Sequence, residues 1–313
     1  MRAVRRRDGG VAVVDAPDPS DTSGRGLLLT VETAGICGSD LHMLSLGSPD
    51  ITLGHEFGGR LADGRRVAVR PTGRCGACDA CRGRRANVCA DALGRFQGGS
   101  LDGGFADRVM VDSDVVFPMH DGQSAGAAAL VEPLAVAVHG VRRAELQPGT
   151  SVAVIGAGSV GLATVAVLVD FGFEVHVDAR YDHQKTAVEA LGGRVGVTGR
   201  HDVVFDAVGS QSAFDAALRA CRSGGDLVEL GVFWDPVAMG AEVVLREITL
   251  RPAVFYTHQH DGSDFQTAIE VLQRAPYIED VMVTHRFPLD EVAQAFQVAA
   301  DRRSGALKVH LVV

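Results

Sequence analysis

Cys75, Cys78, Cys81 and Cys89 form a C-x2-C-x2-C-x7-C run that holds four of the chain's six cysteines. This clustering constrains the fold more than any other feature. Two-residue gaps let a tight loop turn successive sulfurs toward one centre, and four thiolates complete a tetrahedral zinc. Disulfides are the competing explanation, but they suit small secreted domains. The basic start, Met1-Arg2-Ala3-Val4-Arg5-Arg6-Arg7, leads into no apolar stretch of the kind a secretion signal carries. The expectation is a structural zinc lobe with reduced thiols in a cytoplasmic protein.

At 313 residues and 46% apolar content, the chain more naturally makes two domains than one. A net charge of −9 and only 5% aromatic residues argue against a nucleic-acid partner, which needs a positive field. No apolar run stands out as membrane-spanning, so no membrane partner is expected. The basic group Arg82, Arg84 and Arg85 reads as a solvated loop of the cysteine lobe.

Texture changes along the chain. The first 145 residues are rich in glycine and short alternations such as Leu27-Leu28-Leu29-Thr30-Val31 and Arg66-Val67-Ala68-Val69, which predict an irregular β domain. Glu132 and Pro133 open an apolar-periodic stretch through Val141, predicting a bridging helix with proline at its first position. From Ser151 onward, strands and helices alternate. Strands are predicted at Val152–Ile155, Val175–Val177, Val203–Phe205, Leu227–Leu230 and Ile248–Leu250, and helices from Ser159 and near Thr186–Leu191. Such alternation makes a parallel sheet wrapped by helices. Cys221, in a helix-like segment before Gly224-Gly225, reads as a core residue.

Between the Val152–Ile155 strand and the helix from Ser159 lies Gly156-Ala157-Gly158-Ser159-Val160-Gly161. In that setting the G-x-G-x-x-G string predicts a dinucleotide site. The first glycine permits the tight turn, the second lets a pyrophosphate approach the backbone, and the third lets helix pack on strand. Free amides at the helix start then hold the phosphates. The next strand ends Val177-Asp178-Ala179-Arg180. Asp178 would serve the ribose of NAD, whereas a small residue in the carboxylate slot followed by Arg180 would suit the 2′-phosphate of NADP. Counting from Gly156 places the slot nearer Ala179, so the expectation leans weakly to NADP. Asp206 and Gly209 are expected to line the same cleft.

Upstream stand Cys37-Gly38-Ser39-Asp40-Leu41-His42 and Gly54-His55-Glu56, with Glu132 at the bridging helix. One thiolate, one imidazole and one carboxylate build an open zinc site with a position left for substrate. With the cysteine lobe, Glu132-Pro133-Leu134, the glycine turn and Thr284-His285-Arg286-Phe287-Pro288-Leu289, the chain resembles the zinc-containing medium-chain alcohol dehydrogenases. Within them it is similar to the sorbitol, threonine and polyol dehydrogenase branch.

The resemblance implies an α/β architecture, a Rossmann doubly wound parallel sheet (residues 146–283) plus a mainly β GroES-like catalytic domain formed by both chain ends (1–145 and 284–313). It carries the catalytic zinc ligands onto Cys37 and His55, with Glu56 or Glu132 as third. Asp40 would orient His55, Ser39 would take the substrate proton, and His42 would pass it to solvent. The implied reaction is reversible hydride transfer between an alcohol's CH–OH group and NAD(P), in a homodimer or homotetramer. Two other readings compete: a zinc-free quinone or enoyl reductase, and a non-catalytic nucleotide-binding protein. The short stretch Met43 to Leu53 should border the substrate cleft. Phe96, Phe105, Phe233, Trp234 and Phe255 are candidates for shaping substrate choice. Gly64-Arg65-Arg66-Val67, where relatives commonly carry Gly-Asp-Arg-Val, alters a surface loop.

Overall fold

The computed structural model describes residues 1–313 apart from Asp8, Thr22, Ser23, residues 47–49, Arg84 and residues 258–262. The chain divides into two compact units, Met1–Glu132 with Thr257–Val313, and Pro133–Tyr256.

In the first unit, β1 (Arg2–Arg7) and β2 (Gly10–Asp15) pair as an antiparallel ribbon. There follow β3 (Gly26–Ile36), α1 (Gly38–Leu46), β4 (Glu56–Leu61), β5 (Arg66–Val69), α2 (Asp79–Arg82), β6 (Arg108–Asp112) and β7 (Val116–Pro118). Helix α3 (Ala125–Arg143) begins in this unit and ends in the second. The second unit carries β8 (Val152–Ile155), α4 (Ser159–Asp170), β9 (Val175–Asp178), α5 (Asp182–Ala190), β10 (Arg194–Val195) and β11 (His201–Asp206). It continues through α6 (Gln211–Ala220), β12 (Cys221–Glu229), α7 (Glu242–Leu245) and β13 (Thr249–Pro252). The chain then returns with α8 (Asp264–Arg274), α9 (Tyr277–Met282), β14 (Val283–Pro288), α10 (Val292–Ala300) and β15 (Lys308–Val312).

The first unit is built around a seven-stranded sheet ordered β14-β15-β3-β4-β5-β7, with β6 also paired to β3. The return of the chain end is physical. β15 lies antiparallel to β3, and Leu289, Val292, Phe296, Val309 and Leu311 share a core cluster with Leu29, Phe57 and Phe105. Each such side chain taken fully out of water contributes about 1.5–3 kcal/mol, which ties the last thirty residues firmly to the first hundred. Phe105 is wholly buried in this core, edge-on to Phe296 at 6.0 Å, and so does not shape a substrate cleft as the sequence suggested.

The second unit is a six-stranded sheet, β10-β9-β8-β11-β12-β13, with every neighbouring pair parallel. Strand order reverses between β8 and β11, the switch point at which open α/β sheets bind ligands outside their carboxyl strand ends. Val152–Ile155 are all buried, as a strand covered on both faces requires. Cys221 is fully buried but opens β12 rather than standing in a helix.

Three expectations need correction. Pro133 is inside α3, not at its start, because the helix is capped at Ser124, whose Oγ accepts the Ala127 N–H at 2.9 Å. Burial of Ala127 to Val131 and of Leu134 and Ala135 offsets the hydrogen bond that proline removes. Helix α3 is also long and apolar enough to cross a membrane by length and composition, although 83% of its most apolar window is buried, as in a core helix. Finally, the units part at Glu132/Pro133 and Tyr256/Thr257, not near residues 145 and 283. Contacts of α8 and α9 explain the second shift. The Gln123 amide donates to the Ile269 carbonyl, Ser124 bonds Glu279, and Phe117 lies 5.1 Å from Phe265.

Candidate active site and nucleotide crevice

Cys37 stands where β3 ends and α1 begins, and Asp40 locks that corner. The Cys37 N–H donates to Asp40 Oδ2 at 2.9 Å, and the Asp40 N–H returns a bond to the Cys37 carbonyl at 3.1 Å. His55 and Glu56 come from the start of β4, which pairs with β3, so strand register brings them to Cys37. The Cys37 Sγ, a ring nitrogen of His55 and a Glu56 oxygen lie within 4.8 Å of one another. Asp40 Oδ1 is 3.2 Å from His55 Nδ1, while His55 Nε2 faces Ser39 Oγ at 3.3 Å. Burial works against an imidazolium here, but Asp40 and then Cys37 outweigh it and hold the His55 pKa well above its usual value. A soft sulfur, a ring nitrogen and a carboxylate gathered in a largely buried corner are the donor set an open zinc site takes. Phe96 packs against His55 with ring centroids 5.3 Å apart, so this one of the five aromatic candidates does border the site. His42 lies on the exposed face of α1. Of Met43 to Leu53, residues 47–49 lie outside the described residues.

The Glu56 carboxylate is not free. Lys308 Nζ, from β15 at the far end of the chain, donates to both its oxygens at 2.8 and 2.7 Å and to the Ile36 carbonyl at 3.2 Å. Both side chains are 1% exposed. Burial opposes the charge on Lys308, yet Glu56 first and then Cys37 raise its pKa. Its neighbour on the same face, His310, is pushed down to about 3 by burial and by the charges of Lys308 and Arg286. Glu132 is buried on α3 and adds to the field on Lys308, but it is not in the trio with Cys37 and His55. Lys308 was not singled out from sequence. A lysine at an otherwise apolar strand position, Leu307-Lys308-Val309, was the available signal.

All four lobe cysteines are reduced, with their sulfurs within 4.8 Å of one another. Backbone N–H groups of Cys75, Ala77, Cys78 and Asp91 donate to sulfurs at 3.3–3.4 Å. Such donors favour thiolates, and Cys78 is drawn down to about 6 by backbone donors, while burial pushes Cys81 up to about 12. Four converging sulfurs fit a closed zinc cage. Arg82 pairs with Asp79 at 2.6 Å in the same lobe, and Arg84 lies outside the described residues.

In the second unit the glycine string takes the predicted form. Gly156 adopts φ +94°, and a Cβ on Gly161 would fall 2.0 Å from the Gly156 carbonyl oxygen. A Cβ on Gly158 would meet nothing within 4 Å, so the space over that backbone is open to a ligand. Ser159 Oγ, buried at the start of α4, meets no partner among the described residues. Together these features fit a pyrophosphate on the helix N-terminus. Val160 follows in the first turn. Asp178 is the exposed last residue of β9, whereas Ala179 is buried. Arg180 lies over the Tyr181 ring at 5.6 Å. Asp206, fully buried at the end of β11, accepts N–H bonds from Val208 at 2.8 Å and Gly209 at 3.2 Å and so shapes the crevice turn.

One residue beside it was missed. Glu229 ends β12 in register with Asp206 and is buried. Burial first, and then the charge of Asp206, push its pKa up to about 9 from 4.5. The folded protein keeps a proton there that the unfolded chain releases above its lower pKa. Stability therefore falls as pH rises through this window, by about 1.4 kcal/mol per unit at most. Glu229→Gln keeps a neutral side chain of the same shape, and it should raise the melting temperature clearly at pH 8 and little at pH 5. Equal shifts at both pH values in thermal melts would refute this account.

Comparison with known proteins finds relatives along nearly the whole chain. Residues 24–121 match the alcohol dehydrogenase GroES-like domain, and residues 125–309 match the glucose dehydrogenase C-terminus. L-galactonate-5-dehydrogenase of Escherichia coli is 30% identical, over 90% of this chain and 89% of its own. Sorbitol dehydrogenase of Bacillus subtilis is 28% identical, over 90% and 89%. A zinc-binding dehydrogenase from Sinorhizobium meliloti, solved with NADP bound, superposes with a TM-score of 0.86 at 29% identity, covering 100% of this chain and 99% of its own. Fold and site thus define an oxidoreductase that acts on CH–OH groups with a nicotinamide cofactor. The chain belongs to the zinc-type medium-chain alcohol dehydrogenase superfamily.

Proposed function

We propose that this protein oxidises a secondary hydroxyl of a polyol or sugar-derived substrate with NAD(P), reversibly, using a zinc held by Cys37, His55 and Glu56. The trio within 4.8 Å carries this reading, and the galactonate and sorbitol dehydrogenase relatives supply the substrate class. When bound, the zinc makes a hydroxyl more acidic and the nicotinamide accepts its hydride. The chain's own groups do the rest. Asp40 fixes the His55 ring, and Ser39 Oγ, 3.3 Å from His55 Nε2, is placed to accept the hydroxyl proton. His42 follows Ser39 by three residues on α1, hence one turn along the same face, and takes the proton that the Ser39 hydroxyl gives up as it accepts the substrate's, releasing it to solvent. Glu132 serves as a reserve carboxylate, and Cys75, Cys78, Cys81 and Cys89 hold a second, structural zinc.

For the nucleotide, Gly156, Gly158, Ser159, Val160 and Gly161 receive the pyrophosphate, with Asp206 and Gly209 shaping the far side of the crevice. The lean to NADP assumed that Ala179 fills the carboxylate slot. Burial of Ala179 and exposure of Asp178 at the strand end support NAD as the better substrate, with Arg180 admitting NADP. Exposed Val244 and Leu245 on α7, and the edge strand β13, support a homodimer or homotetramer, and free cysteines support a cytoplasmic setting.

A substrate screen across polyols, sugar acids and simple secondary alcohols, with NAD and NADP and parallel zinc analysis, tests the proposal. It stands if about two zinc ions per chain accompany polyol-dependent reduction of the nucleotide. Double-bond reduction without zinc, or nucleotide binding without turnover, would overturn it.

A further inference from the structure

The connection from β10 to β11, residues 196–200, crosses two intervening strands of a parallel sheet in five residues and forms no helix. Parallel crossovers ordinarily take about a dozen residues, usually with a helix packed on the sheet. A helix would be held down by its own apolar face. This strap has one side chain for that purpose, Val197, which packs on the cluster joining α6 to β8, β11 and β12, while its other residues are exposed. Two histidines add to the hold. The strap starts with a backbone bond, from the Gly196 N–H to the Val177 carbonyl at 2.8 Å. His176, beside Val177 on β9, places Nδ1 3.2 Å from the Gly196 carbonyl oxygen, so the tautomer with a proton on Nδ1 donates there. His201, where the strap enters β11, is buried and faces the Thr198 backbone. The two rings lie 5.4 Å apart.

Burial first, and then the nearness of His176, hold the His201 pKa below its usual value. Most charged groups around the pair are engaged elsewhere. Glu174 of β9 pairs with Arg194 of β10 at 3.0 Å, and Asp202 of β11 bonds Ser151 and pairs with Arg222 of β12 at 2.5 Å. Asp202 favours a charge on His201, but less than burial and His176 oppose it. Arg200 of the strap donates to the Cys221 carbonyl at 3.4 Å, and Cys221, in register with His201, stays a neutral thiol because burial pushes it up to about 11. Asp178 of β9 and Arg219 of α6 flank Val197 and Gly199 with opposite charges.

We propose that His176 and His201 latch the strap to the sheet, that charging of His201 releases it, and that bound nucleotide opposes the release. A histidine kept neutral under the closed strap, and free to ionise near its usual value once the strap opens, costs the closed form about tenfold per pH unit below about 6.5. The hold is therefore complete above that value and is lost as pH falls. Asp178 stands with Val197 and Gly199 around one depression, so a nucleotide held there braces the strap. This link to the nucleotide rests on the reading that Asp178 binds the ribose, whereas the latch does not.

Hydrogen exchange over residues 196–200, corrected for the intrinsic pH dependence of amide exchange, tests the latch on the nucleotide-free protein. Protection should be about tenfold lower at pH 5.5 than at pH 7.5. His201→Phe and His201→Gln, which cannot ionise, should each hold protection within about twofold across that range. Flat protection in the unaltered protein, or the same fall in either variant, would overturn the latch. NAD at about a hundred times its dissociation constant should raise protection at pH 5.5 by about tenfold or more. No rise would overturn the link to the nucleotide. Asp178→Ala should weaken NAD about tenfold in titration calorimetry. Indifference to that substitution would overturn the ribose reading, and the link with it, while the exchange data without NAD still decide the latch.

Discussion

Cys37→Ala is expected to lower kcat by about a thousand-fold or more, the loss of about 4 kcal/mol of transition-state stabilisation, while the melting temperature moves by no more than a few degrees. Cys37 sits partly exposed at a strand-to-helix corner whose shape is held by Asp40 and by the β3–β4 pairing, not by the thiol itself. Cys75→Ala should do the opposite: retain much of the turnover per folded molecule but lower the melting temperature by about 5 °C or more. The reason lies in what the lobe has to hold it together. Helix α2 buries no residue, and among the described residues from Cys75 to Cys89 only Ala86 and Cys89 are buried. A segment with so little apolar burial depends on its four sulfurs for order. Zinc content, kcat and thermal melts on both variants decide the matter, with one metal lost from each. Equal unfolding by the two substitutions would contradict the division of roles.

The second large effect concerns Lys308. Lys308→Met should reduce unfolding free energy by about 3–5 kcal/mol, because it leaves the Glu56 carboxylate buried with its strongest partner gone. On the proposed ligand set a zinc ion would then be the counter-charge to Glu56, so chelation should destabilise this variant more than the unaltered protein. The double variant Glu56→Gln with Lys308→Met should recover most of the loss, since no uncompensated charge remains. Denaturant titrations with and without a chelator measure all three quantities. A near-neutral Lys308→Met, or no recovery in the double variant, would show that the ion pair is not what holds Glu56.

What could be read from the sequence was what is written locally. Val152–Ile155 and Arg66–Val69 are strands with the predicted bounds, because their residues carry the burial pattern themselves. The glycine string worked for the same reason, since its turn, open backbone and helix start are consecutive. The Cys37, His55 and Glu56 cluster also came together, although Glu132, offered as an alternative ligand, stands outside it. Failures came where distant parts decide. The start of α3 is hidden in a run of small apolar residues, Ala127-Ala128-Ala129, where a serine cap outweighs the more conspicuous proline. Lys308 acquires meaning only when β15 pairs with β3, and Glu229 only when β12 lies beside β11. The connection from β10 to β11, five residues at 196–200 for a crossing of two strands, is a shortage visible only once strand order is known.

The interleaving of β15 beside β3 has a bearing on how the molecule is made. During synthesis β3 emerges with the edge that β15 later covers exposed, and β15 follows only after the whole of the second unit. The parallel sheet of the second unit is contiguous in the chain and has all its strands in hand well before that moment. Nascent chains stalled short of β15 should therefore protect the nucleotide-binding unit from protease while the catalytic corner stays incomplete, its Glu56 still waiting for a counter-charge.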